Sequence, residues 1–127
     1  MRNLLLSCIV IFFSASVFSC ADAGPPPDKD VIVQALAVQG ALILDVRSSS
    51  EYAGGHAEGA VHVPVSEVAE RMPAIAPDKG QQIVVYCAKG VRAANAESTL
   101  REMGYTKILN AKTPGAVAKA MGKDLVK

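Results

Sequence analysis

Short apolar runs alternate with amphipathic segments from about residue 28 onwards. The runs at 41–46 and 83–86 are nearly unbroken, which is typical of strands covered on both faces of a parallel sheet. Shorter apolar runs at 61–63 and 107–109 predict two more strands. Because helical patterns separate these strands, the sequence predicts the α/β class, with a mostly parallel, twisted sheet of four or five strands flanked by helices.

Several of the helical patterns have recognisable ends. Ser48 and Glu51 form a capping box at the start of a short helix. A helix is predicted over residues 66–72, followed by a polar connection over residues 73–82. The helix after the second long strand ends at Gly104. The last helix is predicted to bury an apolar stripe formed by Val117, Met121 and Leu125.

The N-terminal region has the pattern of an export signal. Residues 1–3 carry a positive charge, and residues 4–18 are apolar but fewer than the roughly 20 residues of a membrane span. We therefore predict a signal peptide over residues 1–21, cleaved between residues 19 and 23, and a periplasmic or secreted protein exported by a bacterium. An uncleaved anchor or a core helix is the alternative interpretation.

Cys20 leaves a second mode of cleavage open. Residues 17–20 resemble a bacterial lipobox, which would make Cys20 the lipidated N-terminus of a membrane-anchored lipoprotein. Small residues around Cys20 also suit ordinary signal peptidase, and we favour that cleavage. Residues 22–28 are then predicted to form a stiff, proline-rich spacer, and residues 29–127 a single folded domain.

The net charge of the chain bears on whether it binds nucleic acid. The whole chain has a formal net charge of +1, and Arg2 is the only charged residue before Asp22, so the mature chain is expected to be neutral. Such a chain gives no indication of nucleic-acid binding. Three lysines at helical spacing are interpreted as a solvated helix face: Lys119, Lys123 and Lys127. Neither histidine has cysteine or carboxylate neighbours at ligand spacing, so no metal and no cofactor are predicted.

Cys87 is the candidate nucleophile. It follows the run 83–86, and a short loop containing Gly90 leads from it to Arg92, where a helical pattern starts. A strand, a tight loop and a helix form an anion site, because the loop amides converge and the helix N-terminus adds partial positive charge. A cysteine in this place is stabilised as the nucleophilic thiolate, and Lys89 and Arg92 add two positive charges beside it. Cys87 is the one thiol expected in the folded domain, and the alternative to a nucleophile is a small buried hydrophobic residue.

Other polar residues are expected near Cys87. Asp45 and Arg47 follow the other long strand, and ligands of parallel sheets bind beyond the carboxyl ends of the strands. These side chains can therefore share one site with Cys87. Arg47 could pair with Glu51 or face the substrate.

Three stretches, in the right order, resemble motifs of the rhodanese family, the thiosulfate sulfurtransferases. Residues 87–92 resemble the six-residue active-site loop of that family. The other two stretches are residues 42–47 followed by Glu51 and Tyr52, and residues 55–60 followed by Val63 and Pro64. A leader followed by one short domain is similar to the periplasmic single-domain type. The resemblance implies one rhodanese-like domain without a cofactor, and we expect a monomer.

The resemblance also implies a reaction and a set of site residues. Cys87 would attack the outer sulfur of thiosulfate, release sulfite and carry a persulfide, which cyanide or another small thiophile removes. The residues implied to bind the substrate are Ala88, Lys89, Gly90, Val91 and Arg92. Those implied to support the loop are Asp45, Arg47, Glu51 and His56. Lys89 favours a dianionic inorganic donor, and a solvated surface lysine is the alternative.

The chain departs from the pattern of the family after Asn110. Related chains place a Gly-Gly pair shortly after this asparagine, whereas here Ala111, Lys112 and Thr113 follow. This loop is therefore expected to be stiffer and to carry an extra cation, which affects the acceptor side of the pocket.

Two other functions stay open. Cysteine phosphatases and arsenate reductases use a related loop, but theirs spans six positions from cysteine to arginine and this one spans five. A persulfide carrier or binding module that serves a protein partner is the alternative from a different class. Turnover of thiosulfate with free cyanide separates the enzyme from the carrier.

Overall fold

The computed structural model describes Pro25 and residues 27–127. The predicted signal peptide, its cleavage site and Cys20 lie outside the described residues. In the part that is described, no helix is both long and apolar enough to span a membrane. The strands are β1 (Leu42–Asp45), β2 (Val61–His62), β3 (Ile83–Tyr86) and β4 (Ile108–Lys112). The helices are α1 (Lys29–Leu36), α2 (Ser49–Gly54), α3 (Val68–Ile75), α4 (Val91–Glu102) and α5 (Pro114–Met121), with a 3-10 turn over Val65–Glu67.

The four strands of residues 27–127 form one sheet in the order β2-β1-β3-β4. All strand pairings in this sheet are parallel. Leu44 of β1 lies between Val61 of β2 and Val85 of β3, and Val85 lies beside Asn110 of β4 on its other side. The predicted α/β class is confirmed, and the described sheet has four strands rather than five. Parallel strands place their carboxyl ends at one edge, so the residues that follow β1 and β3 meet there.

β3 lies at the centre of the sheet, and all four of its side chains are fully buried. Alternate residues of a strand point to opposite faces. Ile83 and Val85 pack in a core with residues of α3 and α4, whereas Val84 and Tyr86 pack in a second core with residues of α1 and α5. Helices therefore cover both faces of the sheet, as the unbroken apolar run predicted.

α3 is longer than predicted. It continues through Pro73 to Ile75, where the sequence indicated a polar connection. Proline removes one helical hydrogen bond, but tertiary contacts hold this helix in place. The buried Tyr105 hydroxyl lies 3.1 Å from the carbonyl oxygen of Met72 and 2.6 Å from that of Ala76, so it satisfies carbonyl groups at the end of the helix.

α5 is shorter than predicted. It ends at Met121 because Gly122 adopts a left-handed conformation, with φ 67°, that stops the helix. Leu125 therefore lies beyond the helix and is 43% exposed, so it is not part of a buried helical stripe. The predicted row of lysines on one helix face is also wrong, since Lys123 follows the helix and forms an ion pair with Glu58.

Candidate functional site

The loop between β3 and α4 bends back onto the sulfur of Cys87. The Gly90 amide donates a hydrogen bond to Cys87 Sγ over 3.0 Å. Gly90 has φ 101°, a conformation that glycine adopts without strain, and this turns its amide towards the sulfur. α4 begins at the next residue, and the first amides of a helix have no partner within the helix. Amide groups and the positive end of a helix therefore converge beside the sulfur.

Cys87 is more deeply buried than a reactive cysteine was expected to be. Only 1% of the residue is exposed, and it packs in the same core as Ala93 of α4. Burial follows from its position at the end of the central strand, where α4 covers it. The neighbouring loop residues Ala88 and Lys89 are exposed, and Val91 is 62% exposed. The sulfur therefore lies beneath the surface of the loop.

Arg92 and Glu51 form a two-point ion pair at the edge of the loop. Arg92 Nη1 and Nη2 donate to Glu51 Oε1 and Oε2 over 2.8 and 3.0 Å. The predicted capping box is also present, since Ser48 and Glu51 exchange hydrogen bonds at the start of α2. The Arg92 guanidinium, followed by the Ser48 hydroxyl, lowers the pKa of Glu51 to about 2. The same carboxylate raises the pKa of Arg92.

Asp45 and Arg47 form a second ion pair, in the interior. Arg47 Nη2 donates to Asp45 Oδ2 over 2.7 Å, and Arg47 Nε lies 3.1 Å from both carboxylate oxygens. Arg47 Nη2 also donates to the carbonyl oxygen of Gly55 over 2.7 Å. Asp45 is fully buried, and its hydrogen bonds raise the pKa of Arg47. Arg47 therefore does not pair with Glu51, which pairs with Arg92 instead.

His56 ties the turn after α2 to its surroundings. Its Nδ1 lies 2.9 Å from the carbonyl oxygen of Tyr52, and the two rings stack with centroids 3.8 Å apart. Its backbone exchanges hydrogen bonds with Val126 over 2.8 and 2.9 Å, so the C-terminal segment is fastened to this turn. His62 stacks on the other side of Tyr52, with ring centroids 4.7 Å apart. The contacts of His56 are structural, in keeping with a supporting role.

Tyr86 connects the same turn to the central strand, a role that the sequence did not reveal. The Ala57 amide donates to the Tyr86 hydroxyl over 3.0 Å, and the Arg47 guanidinium lies 5.5 Å from the centre of its ring. Burial raises the pKa of Tyr86 well above its ordinary value, so the hydroxyl stays protonated. Tyr86 therefore helps to fix the turn that carries the carbonyl oxygen of Gly55 against Arg47.

Asn110 and Lys112 also contact the loop; the sequence indicated an extra cation in this segment but not these contacts. Asn110 Nδ2 donates to the carbonyl oxygen of Gly90 over 3.1 Å, and its Oδ1 accepts from the Lys112 amide over 2.9 Å. The carbonyl oxygen of Lys112 accepts from the Cys87 amide over 3.1 Å. The departure from the family pattern after Asn110 was the sequence signal for this segment.

The described residues do not bring together a metal-binding group. No set of three or more histidine, cysteine, aspartate or glutamate side chains among them is placed to hold an ion. The polar groups around Cys87 are hydrogen-bond donors and cations instead, which suits the binding of an anion.

Comparison with known proteins gives matches over the part of the chain that contains the candidate site. A family model described as a rhodanese-like domain matches residues 28–113. The chain is 41% identical over 68 residues to the thiosulfate sulfurtransferase PspE of Escherichia coli K12, across 54% of this chain and 65% of that protein. It is 32% identical over 72 residues to a tRNA uridine(34) hydroxylase of Escherichia coli O1:K1, across 54% of this chain and 21% of that protein.

A solved structure of a rhodanese with anions from E. coli is also similar. It has a TM-score of 0.62 and 36% identity, and the match covers 68% of this chain and 98% of that chain. The match to the two curated relatives is shorter, since it spans less than two thirds of either of them. Their names denote different reactions, so the shared domain alone does not fix the reaction.

Proposed function

The chain belongs to the family of rhodanese-like domains, and from this premise we propose that it is a thiosulfate sulfurtransferase working through a persulfide on Cys87. The observation that carries this proposal is the 3.0 Å hydrogen bond from the Gly90 amide to Cys87 Sγ, inside a loop that ends at a helix N-terminus. An amide placed in this way stabilises the Cys87 thiolate, and the other amides of the loop together with the helix N-terminus would stabilise the terminal sulfur of a persulfide.

The reaction balances without a cofactor or a metal. The Cys87 thiolate attacks the outer sulfur of thiosulfate, a sulfur–sulfur bond forms, and the original sulfur–sulfur bond breaks with its electron pair leaving on sulfite. The enzyme then carries a persulfide anion. Cyanide attacks the outer sulfur of this persulfide, thiocyanate leaves, and the Cys87 thiolate is restored. No proton needs to be transferred in either half of the cycle, so His56 is not required as a base.

The surroundings of Cys87 favour a small anionic donor. The loop amides and the end of α4 supply partial positive charge, and the exposed Lys89 supplies a full charge at the mouth. Burial of the sulfur excludes bulky reactants, whereas thiosulfate and cyanide have few atoms. The similar E. coli rhodanese was solved with anions, which is in keeping with a loop of this kind holding one.

The direct test is the intact mass of the purified mature protein before and after addition of thiosulfate, with Cys87→Ser as the control. The proposal expects a gain of one sulfur atom that is absent from the variant and lost on addition of cyanide. No gain in mass contradicts it. A gain that appears only with a persulfidated protein as donor would instead favour the carrier function. The same spectrum locates the cleavage site predicted between residues 19 and 23 and detects lipid on Cys20.

A further inference from the structure

The arginine at the end of the Cys87 loop is already engaged by a carboxylate. Both terminal nitrogens of Arg92 donate to the two carboxylate oxygens of Glu51, over 2.8 and 3.0 Å. A guanidinium uses the same two-point contact to bind two oxygens of a tetrahedral oxyanion. The Glu51 carboxylate therefore fills the face of Arg92 that a bound oxyanion would use.

The Arg92 guanidinium lies within electrostatic range of the sulfur. Glu51 is the main cause of the raised pKa of Arg92, and the charge of Cys87 raises that pKa further. Arg92 is also the second residue of α4, beside the amides at the positive end of the helix. An anion held by these amides is therefore a neighbour of the guanidinium, and it competes with Glu51 for its N–H groups.

Glu51 is held at the edge of the loop by contacts that do not involve Arg92. The Ser48 hydroxyl donates to Glu51 Oε1 over 2.9 Å, and the Ser48 amide donates to the same oxygen over 3.3 Å. The Glu51 amide donates back to the Ser48 hydroxyl and completes the capping box. The carboxylate stays ionised at neutral pH, since its pKa is about 2. Glu51 is therefore a fixed anion that remains beside the loop whether or not Arg92 pairs with it.

We propose that Glu51 limits the affinity of the Cys87 loop for oxyanions by competing with them for Arg92. This inference rests on the proposed sulfurtransferase function, because the anions concerned are thiosulfate and the sulfite that leaves after transfer. Sulfite held weakly departs and leaves the loop open to the acceptor. In turnover, Glu51 therefore raises the KM for thiosulfate and weakens product inhibition by sulfite.

The test is a double-mutant cycle that measures anion binding. In a Cys87→Ser background, which cannot form a persulfide, the dissociation constant of sulfate is measured from the chemical shift of the Gly90 amide at constant ionic strength. Glu51→Gln removes the charge and keeps the helix cap, because glutamine also serves in a capping box. This variant frees Arg92, and we expect it to bind sulfate about three- to tenfold more tightly than the parent.

Arg92→Gln completes the cycle. Competition requires Arg92 to contribute more to sulfate binding once Glu51 is neutral. Arg92→Gln should therefore weaken sulfate binding by a larger factor in the Glu51→Gln background than in the parent. Equal factors would mean that Glu51 only repels sulfate through space, and weaker binding in Glu51→Gln would mean that Glu51 positions Arg92 for the anion. Either result overturns the inference.

Two further variants serve as controls. Glu102→Gln removes the same formal charge from the exposed far end of α4, and it should leave sulfate binding unchanged. The 12 residues of α4 place it about 16 Å from the loop, beyond the Debye length of about 10 Å at 0.1 M salt. Glu51→Ala leaves no side-chain oxygen for Arg92 and should tighten sulfate binding as Glu51→Gln does, so it decides the matter if the glutamine variant fails to fold.

Failure of this inference is distinct from failure of the proposed function. The cycle uses sulfate, which donates no sulfur, whereas the proposed function depends on persulfide formation with Cys87 intact. A protein that gains no sulfur from thiosulfate but shows the expected cycle keeps the competition for Arg92 and loses the sulfurtransferase function. Sulfate binding that is absent from the parent and from both Glu51 variants overturns the inference and leaves the mass test of the function untouched.

Discussion

Arg92 and Glu51 are joined by two hydrogen bonds of 2.8 and 3.0 Å, although 41 residues separate them in the chain. Arg92 lies in the first turn of α4, where the helix dipole disfavours a cation. A nearby anion compensates for this, and the Glu51 carboxylate supplies it. The pair also connects the helix after β1 to the loop after β3, so it holds the mouth of the Cys87 site together.

The stability supplied by this pair should depend on pH in the acidic range. The pKa of Glu51 is about 2 in the folded protein, below the ordinary 4.5, chiefly because Arg92 donates to it. The pair therefore stabilises the protein fully above about pH 4.5, and this contribution is lost as the pH falls towards 2. Both side chains are about one third exposed, so solvent screening limits the contribution to about 1 kcal/mol or less.

Urea unfolding of the wild type and of Glu51→Gln between pH 7 and pH 2 checks this prediction. The difference in free energy of unfolding should be largest at neutral pH and shrink to nearly nothing at the acidic end. Glu102→Gln removes the same formal charge from the exposed end of α4 and serves as the control. A difference that does not change with pH contradicts the assigned pairing.

Replacing Arg47 by methionine should destabilise the protein strongly. The substitution leaves the Asp45 carboxylate buried without its guanidinium partner and frees the carbonyl oxygen of Gly55. Breaking a buried ion pair in this way costs about 3–5 kcal/mol. Chemical denaturation of Arg47→Met, of Asp45→Asn and of the double variant Asp45→Asn/Arg47→Met provides the comparison. The double variant should recover part of the loss, and strictly additive losses would show that the pair is not coupled.

Asn110→Ala should loosen the Cys87 loop. The variant loses both the hydrogen bond to the Gly90 carbonyl oxygen and the one from the Lys112 amide. We expect a loss of about 1–3 kcal/mol in unfolding free energy and slower persulfide formation, since the loop amides are no longer fixed. Asn95→Ala, on the exposed face of α4, is the matched control. Unchanged stability together with an unchanged rate of persulfide formation would refute this role.

Val126→Pro should release the C-terminal segment from the turn at His56. Proline cannot donate the backbone hydrogen bond that the Val126 amide makes to His56 over 2.9 Å. Hydrogen exchange of the His56 amide should then speed up at least several-fold, because its own bond to the Val126 carbonyl oxygen weakens as well. Val126→Ala keeps both backbone bonds and should exchange at the wild-type rate. Equal protection in the two variants would mean that the bridge does not hold the turn.

The pattern of apolar residues predicted the sheet because an unbroken apolar run marks a strand whose side chains are buried on both faces. The unbroken run of β3 is buried on both faces, and the capping box of Ser48 and Glu51 depends on residues close in sequence. The resemblance to the rhodanese family, based on three short motifs, is confirmed. The ends of α3 and α5 were less predictable, since they depend on the Tyr105 hydroxyl and on the conformation of Gly122.

The ion pairs of the candidate site could not be predicted from the sequence. Which carboxylate accompanies which arginine depends on the order of the strands, because the adjacency of β1 and β3 brings Glu51 to Arg92. The contacts of Asn110 and Lys112 with the loop could not be predicted for the same reason, since only the pairing of β3 with β4 places these residues beside Gly90. The burial of Cys87 likewise follows from packing against α4 rather than from its sequence neighbours.

This burial also protects the thiol from unwanted oxidation. Thiol–disulfide exchange requires direct access of one sulfur atom to another. Cys87 is 1% exposed, so glutathione disulfide and the disulfides of other proteins are too large to reach it, and mixed disulfides form slowly. An exposed thiol in an oxidising compartment would need a reductant to remain active. In this chain, the loop shields the Cys87 sulfur because it excludes oxidants that are too large to reach it.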